Sequence, residues 1–478
     1  MDTAFFVVAF AVALLATFRS LGWGFLAVIA VGYFNGVIRA NFLGVFTTFM
    51  FDAAVLGLYL GFLNGKARWA KGVGPGPAGG FVLFLIAWPT LLCLIPVNHF
   101  LIQCVGLRAS VWFLPVLLIA TRLTTKDLSL LARGLAVLNL VALAVGIYIY
   151  LYGVQALYPV NAITQIIYKS KDVGGQTLYH RVPSSFLSAH AYGGTMLYTL
   201  PFLLDRLAGV KVRQVDRWLA LAGVVAAAGG LLMCGARSPM ATLTVTLAIA
   251  WLLSRFSLKL ALLVGVLVAV GFMVGRNNER LQRFTMLADS ESVSGRIDMS
   301  MNLGFLELLS SYPLGAGLGS AAGNSIPFFL SDLAPVQIGA ENEYSRILVD
   351  QGWFGLAGWL ALIGWLYARP PPARPPAPWR LGVVFMYSLT LSSWMTAFIG
   401  TGLLAAIPVT FLMLTQMGVL VSVRNNEGAV PEAVTGCTED LADLEVEADP
   451  DEVLVEDLGV VPGHDLSVNQ AELAADRG

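Results

Sequence analysis

Gly134-Leu135-Ala136-Val137-Leu138-Asn139-Leu140-Val141-Ala142-Leu143-Ala144-Val145-Gly146-Ile147-Tyr148-Ile149-Tyr150-Leu151-Tyr152 is a run of 19 residues without a charged side chain. As a helix rising about 1.5 Å per residue it reaches about 28 Å, close to the thickness of a bilayer's hydrocarbon core. Apolar residues fall on every face of that helix, so neither a soluble amphipathic helix nor the short alternating strand of a β-barrel accounts for it. Similar runs lie near 4–18, 21–38, 42–63, 81–98, 107–121, 186–204, 218–235, 238–254, 258–275, 353–367, 381–399 and 402–422. The predicted fold class is therefore an all-α polytopic membrane protein of about 12–14 transmembrane helices.

Composition excludes the soluble alternatives. The 478 residues are 57% hydrophobic and 12% charged, against roughly 45–50% and about 25% in soluble domains, and mean hydropathy is +0.74. The net charge of −1 hides a division. Residues 424–478 hold 15 of the 30 acidic and 2 of the 29 basic residues. The tail is thus near −13 and the body near +12. Acidic and without aromatics, the tail reads as a disordered solubilising end. The four cysteines and four histidines show no CxxC or HxxxH spacing, so neither a metal site nor a cofactor is expected, and no nucleic-acid partner. With Asp2 in place of a basic cluster, the first run reads as a retained span rather than a signal peptide.

Lysine and arginine orient the spans. Lys66, Arg68 and Lys71 share one connection; Arg122, Lys126 and Arg133 a second; Arg206, Lys211, Arg213 and Arg217 a third; Arg255 and Lys259 a fourth; Arg369, Arg374 and Arg380 a fifth. Counted through the spans, all five fall on one side, which is the cytoplasm, and the acidic tail is placed with them. Segments 153–185 and 276–352 are then forced to the opposite face. The second is far longer than an ordinary connection, and loops of that length usually carry function. The expected organisation is a transmembrane bundle over 1–275, a catalytic loop over 276–352, further spans over 353–423 and the tail over 424–478. Within the loop, 295–309 has helical apolar spacing and reads as an amphipathic surface helix. Gly315-x-Gly317-x-Gly319 reads as a tight turn, and a short helix is expected from Ala340 to Leu348. Pro370-Pro371-Pro372 to Pro376 reads as a stiff linker.

Several residues of the outer face could carry chemistry. Arg237, in Cys234-Gly235-Ala236-Arg237-Ser238-Pro239, sits in a short break between two apolar helices. Ser238-Pro239 suits the opening of the next helix as a cap and first-turn proline. A helix N-terminus beside a guanidinium favours an anion. Arg296 opens the amphipathic stretch, and two arginine forks reaching one pocket suit the two phosphates of a diphosphate. Arg181, with Lys169 and Lys171, adds positive charge on the same face. Glu341, in Glu341-Asn342-Glu343-Tyr344, is the candidate general base. Glu343 has Arg346 three residues on as an ion partner, which leaves Glu341 the freer acid. His190, Asn342 and Tyr344 are candidate lining residues of the same cavity. Asp52 is an intramembrane acid with no partner identifiable from the sequence.

From Arg237 to Leu356 the order of these features resembles the O-antigen ligase/polymerase superfamily, which includes Wzy-type polysaccharide polymerases and WaaL-like ligases. The resemblance is carried by the Gly235-Ala236-Arg237-Ser238 break and Arg296. It continues through Ser311-Tyr312-Pro313-Leu314-Gly315-Ala316-Gly317-Leu318-Gly319, Glu341-Asn342-Glu343-Tyr344 and Leu348-Val349-Asp350-Gln351-Gly352-Trp353-Phe354-Gly355-Leu356. It implies a GT-C-like, metal-independent glycosyltransferase of the bacterial inner membrane, acting on its periplasmic face. Donor and acceptor would be undecaprenyl-diphosphate-linked glycans. Arg237 and Arg296 match the arginines implied to hold the donor diphosphate. Glu341 stands where ligase members carry a histidine before Asn, a departure that favours a polymerase of O-antigen, capsule or exopolysaccharide over a ligase. A chain-length regulator and a flippase are the implied partners. A transporter of lipid-linked glycans is the alternative from another class, but it predicts repeated halves and intramembrane charges rather than a long outer loop.

Overall fold

The computed structural model describes residues 2–65, 76–174, 177–209, 212–253, 304–323, 326–335, 338, 340, 342–369, 379–398, 400 and 402–425. The expected span at 258–275, the proline-rich linker, Arg296, Glu341 and the acidic tail beyond Asn425 lie outside them.

The protein is an all-α polytopic membrane protein. Among the described residues, seven helical spans are long and apolar enough to cross a membrane. They are α1 (Asp2–Arg19), α2 (Leu21–Asn41), α5 (Gly76–Cys93), the pair α6 (Phe100–Val111) and α7 (Leu114–Ala120), α8 (Thr125–Tyr152), α11 (Gln214–Met233) and α14 (Glu343–Tyr367). Shorter apolar helices join them: α4 (Met50–Asn64) after the single turn α3 (Val45–Thr48), α12 (Arg237–Leu253), α15 (Arg380–Thr396) and α16 (Val409–Asn425). The more polar α10 (Ala189–Ala208) runs through the middle of the bundle, its side chains almost all buried. Side chains on the outside, such as Leu15 (66% exposed), Leu83 (67%) and Leu151 (68%), form the apolar exterior that lipid would cover.

Polar contacts fix the ends of the helices. At one end Asp127 serves two helices at once. Its Oδ2 accepts from Thr124 in the capping box of α8, and its Oδ1 accepts from the Gly22 backbone N–H at 2.9 Å, in the first turn of α2. At the same end Arg133 pairs with Asp216 at 2.7 Å, Asp205 accepts from the Gly382 N–H at 3.1 Å, Arg206 lies 5.0 Å from the Trp379 ring, and Arg424 donates to the Trp365 carbonyl. Residues from the second, third and fifth basic connections therefore gather at one end of the bundle. In the middle, Asn139 accepts from Tyr33 Oη at 2.6 Å and donates to Thr199 Oγ1 at 2.8 Å, so a buried amide keeps partners where water is absent.

At the other end Asp2 accepts from the backbone N–H groups of Phe46 and Thr47. Segment 153–188 also lies there, with α9 (Gln165–Lys169) and the small hairpin of β1 (Lys171–Gly174) and β2 (Thr177–His180). Asp52 has a partner that the sequence alone does not identify. Arg108, 56 residues away on α6, grips its carboxylate through Nε at 2.7 Å and Nη2 at 2.6 Å. A bidentate fork of this kind satisfies a largely buried carboxylate.

Candidate functional site

Two clusters form at the end that carries segment 153–188, one on either side of the C-terminus of α15. The first surrounds Arg237. α12 starts at Arg237 itself, one residue earlier than the expected cap at Ser238. The Ser238 hydroxyl instead lies 3.2 Å from Nδ1 of His190, in the first turn of α10. The other imidazole nitrogen, Nε2, lies 3.3 Å from Nη1 of Arg181, just beyond β2. Ser188 caps α10 by accepting from the Ala191 N–H at 3.1 Å, which fixes the turn that presents His190. Burial lowers the pKa of Arg181, and the neighbouring Cys234 side chain opposes that shift. Three chain segments thus converge, and two of them bring arginines to the start of a helix, where backbone N–H groups and the macrodipole already favour an anion.

The second cluster is the start of α14. Asn342 is its N-cap, fully buried, accepting from the Ser345 N–H at 2.7 Å. Glu343 is also fully buried and its carboxylate is committed on both oxygens. Oε1 pairs with Arg346, while Oε2 accepts from the backbone N–H groups of Gly402 at 2.7 Å and Leu403 at 3.1 Å. The ion pair read from the sequence is thus present, and it is also a clamp on the segment between α15 and α16. Tyr344, considered above as a lining residue, is 4% exposed. Its hydroxyl donates to the Trp394 carbonyl at 2.7 Å and its ring stacks on Phe398 at 4.1 Å. Asn342 and Tyr344 therefore hold the return of the chain into the bundle. The clusters are joined through α15. Thr242 of α12 contacts Thr396 at 2.9 Å, and the carbonyl of the next residue, Ala397, accepts from the Glu343 N–H at 3.0 Å.

The glycine turn packs against the middle of α14. It follows α13 (Gly304–Ser311), which buries part of Phe305, Leu308 and Leu309 against the bundle and exposes Leu306 and Glu307; of the amphipathic stretch expected over 295–309, only 304–309 are among the described residues. Gly315, Gly317 and Gly319 have φ of 86°, 98° and 87°, a region that favours glycine. The turn interlocks with α14 where that helix breaks at Gly352 (φ 67°, ψ −166°). The Ala316 N–H donates to the Val349 carbonyl at 2.7 Å and the Trp353 N–H to the Pro313 carbonyl at 2.9 Å. Buried Asp350 accepts from the Ala321 N–H at 3.0 Å. On its far side Asn98 donates to the Leu318 carbonyl at 3.1 Å. Two motifs quoted from the sequence are thus two halves of one joint.

The fold and these clusters define a multi-pass membrane protein with a basic, helix-terminal site at one end. Residues 222–360 match a protein-family model described as O-Antigen ligase. The match contains Arg237, Arg296, Glu341 and the whole of the joint, and ends before α15 and α16. No curated protein matches the chain. Among the described residues, no group of His, Cys, Asp and Glu side chains is arranged to hold a metal ion.

Proposed function

We infer that the protein is a membrane glycosyltransferase that polymerises undecaprenyl-diphosphate-linked repeat units into O-antigen, capsule or exopolysaccharide. The observation that carries this reading is the convergence of Arg181 and His190 on Ser238 and the start of the helix that opens with Arg237, a helix within the matched residues 222–360. The acceptor hydroxyl attacks the anomeric carbon of the donor glycan. As the new glycosidic bond forms, the bond from that carbon to the diphosphate oxygen breaks, and the hydroxyl proton passes to Glu341. Arg237 and Arg296 take the charge that grows on the departing diphosphate, where a planar fork is worth more than a point charge. The polyprenyl chain stays in lipid while the sugars sit at the outer end of the bundle, and this positions both reactants. In this reading the site faces the periplasm of a bacterial inner membrane, the basic connections and the acidic tail face the cytoplasm, and a flippase supplies the substrate.

The family description favours a second reading, transfer of a finished glycan to a lipid or protein acceptor. Glu341, in place of the ligase histidine, favours polymerisation. Purified protein in lipid, given a polyprenyl-diphosphate-linked repeat unit, separates the two. A ladder of multiples that vanishes in Arg237→Ala supports the polymerase. Transfer only when a lipid acceptor is added selects the ligase, and unchanged substrate in both mixtures rejects both.

A further inference from the structure

The ion pair between Asp52 and Arg108 has a third member. Arg39, in the last turn of α2, lies within electrostatic reach of both. Asp52 spends its two oxygens on the Arg108 fork, and no hydrogen bond joins the Arg39 guanidinium to any other described residue. Its Nε is buried without an acceptor, and Oδ1 of Asn35, one helical turn earlier, is buried without a donor. Two guanidiniums therefore share one carboxylate among partly buried helix ends, where an uncompensated charge is costly. Such a cluster suits an anion.

Its surroundings place it beside the candidate site. One turn before Arg39 on α2, a Cβ at Gly36 would meet the Phe186 backbone at 2.2 Å, and the Val37 N–H donates to the Ser185 carbonyl at 3.2 Å; this is the segment that leads into Ser188 and His190. Two residues before Arg108 on α6, a Cβ at Gly106 would meet the backbone N of Gly319 at 2.4 Å, in the glycine turn. The Arg108 guanidinium lies over the Phe49 ring at 5.4 Å, which sets its plane. Both arginines therefore stand on helices that lean on the walls of the site, and both lie outside the matched residues 222–360.

We propose that Arg39 and Arg108, held in place by Asp52, form a second phosphoryl-anion subsite, which takes the diphosphate of the second polyprenyl-linked chain. The occupant's identity rests on the glycosyl-transfer reading, because a polymerase, unlike a hydrolase, must hold two lipid-linked diphosphates at once. The subsite itself rests on the cluster.

The test is a binding count. Full-length protein in phosphatidylcholine nanodiscs is titrated with undecaprenyl diphosphate, and bound equivalents are counted by native mass spectrometry. The wild type is expected to bind two, and Arg39→Gln to weaken one of them about 10-fold or more, as loss of a charge-assisted contact should. Arg237→Ala should weaken the other. A single equivalent in the wild type, or two of unaltered affinity in Arg39→Gln, overturns the subsite. Arg39→Lys keeps the helix-end cation and gives the reading if the glutamine variant does not fold: one equivalent binds more weakly, and unchanged affinity overturns the proposal. In nanodiscs containing phosphatidylglycerol, loss of the Arg39-dependent equivalent would identify a phospholipid headgroup as the occupant and overturn the assignment to a second reactant. Binding is read without turnover. Two equivalents, one of them Arg39-dependent, with no glycan transfer would sink the glycosyl-transfer reading alone, and a full polymer ladder with one equivalent would sink this one alone.

Discussion

Nδ1 of His190 lies 3.2 Å from the hydroxyl of Ser238, 48 residues away, and so ties the first turn of α10 to the first turn of α12. Arginine only donates, so Nε2 accepts from Arg181 and the ring proton sits on Nδ1, directed at Ser238. One neutral ring thereby sets the positions of a hydroxyl and a guanidinium beside Arg237. His190→Ala is expected to slow glycan transfer about 10-fold to 100-fold, the worth of a hydrogen bond to a charged group. Initial rates at matched protein levels in membranes would check this, and an unchanged rate would remove His190 from the site.

Arg237→Ala is expected to abolish polymer while the protein still reaches the membrane. Arg237→Lys should also be impaired, because an ammonium cannot present two parallel donors to a phosphate. Polymer length on gels, beside immunoblots of the membrane fraction, reads both variants. Full activity of the lysine variant would reduce Arg237 to a point charge.

Glu343→Ala acts on stability first. Removing the carboxylate leaves Arg346, 11% exposed at its side chain, without its ion partner, and strips the N–H groups of Gly402 and Leu403 of their acceptor. The expected cost is about 3–5 kcal/mol, the range for breaking a buried pair from one side. Thermal unfolding in detergent should show a lowered midpoint. A wild-type midpoint would contradict the clamp.

Gly352→Ala should also destabilise, for a backbone reason. The residue sits at φ 67°, and an added Cβ would lie 2.5 Å from the Leu314 carbonyl carbon and 2.7 Å from the Pro313 oxygen. Either the glycine turn or the helix break has to move. The loss should exceed the roughly 1 kcal/mol by which Gly-to-Ala changes are favourable at permissive sites, and it should carry the opposite sign. Unfolding midpoints again decide.

Truncation after Asn425 removes the acidic tail. Its composition predicts no packed core, so transfer by the truncated protein should match wild type. Loss of turnover in a well-folded truncated protein would assign the tail a part in catalysis.

The membrane class and the positions of most spans were legible in the sequence, because crossing a bilayer requires a long uncharged run and such runs are local. α8 shows the limit of that reading. The apolar pattern begins near 134, whereas the helix begins at Thr125, since its first turns are polar and are held by the Thr124–Asp127 capping box rather than by lipid. The glycine motif and the Asp350-Gln351-Gly352 motif were visible as unusual strings, but their common purpose was not. That purpose is backbone contact between residues far apart in the chain.

What the sequence by itself determined was the all-α membrane architecture, the gathering of basic connections toward one side, and the identity of Arg237, His190 and Arg181 as charged or titratable residues of the other side. The tertiary structure alone decided who meets whom. It paired Asp52 with Arg108, gave the Ser238 hydroxyl to His190 rather than to a helix cap, and closed Glu343 on Gly402 and Leu403. Each of these contacts joins residues that the chain separates by tens of positions. Hydropathy is a sum over neighbours in the chain and holds no record of such meetings. They are fixed by how helices pack, where every buried polar group must find a partner among side chains and backbone already inside.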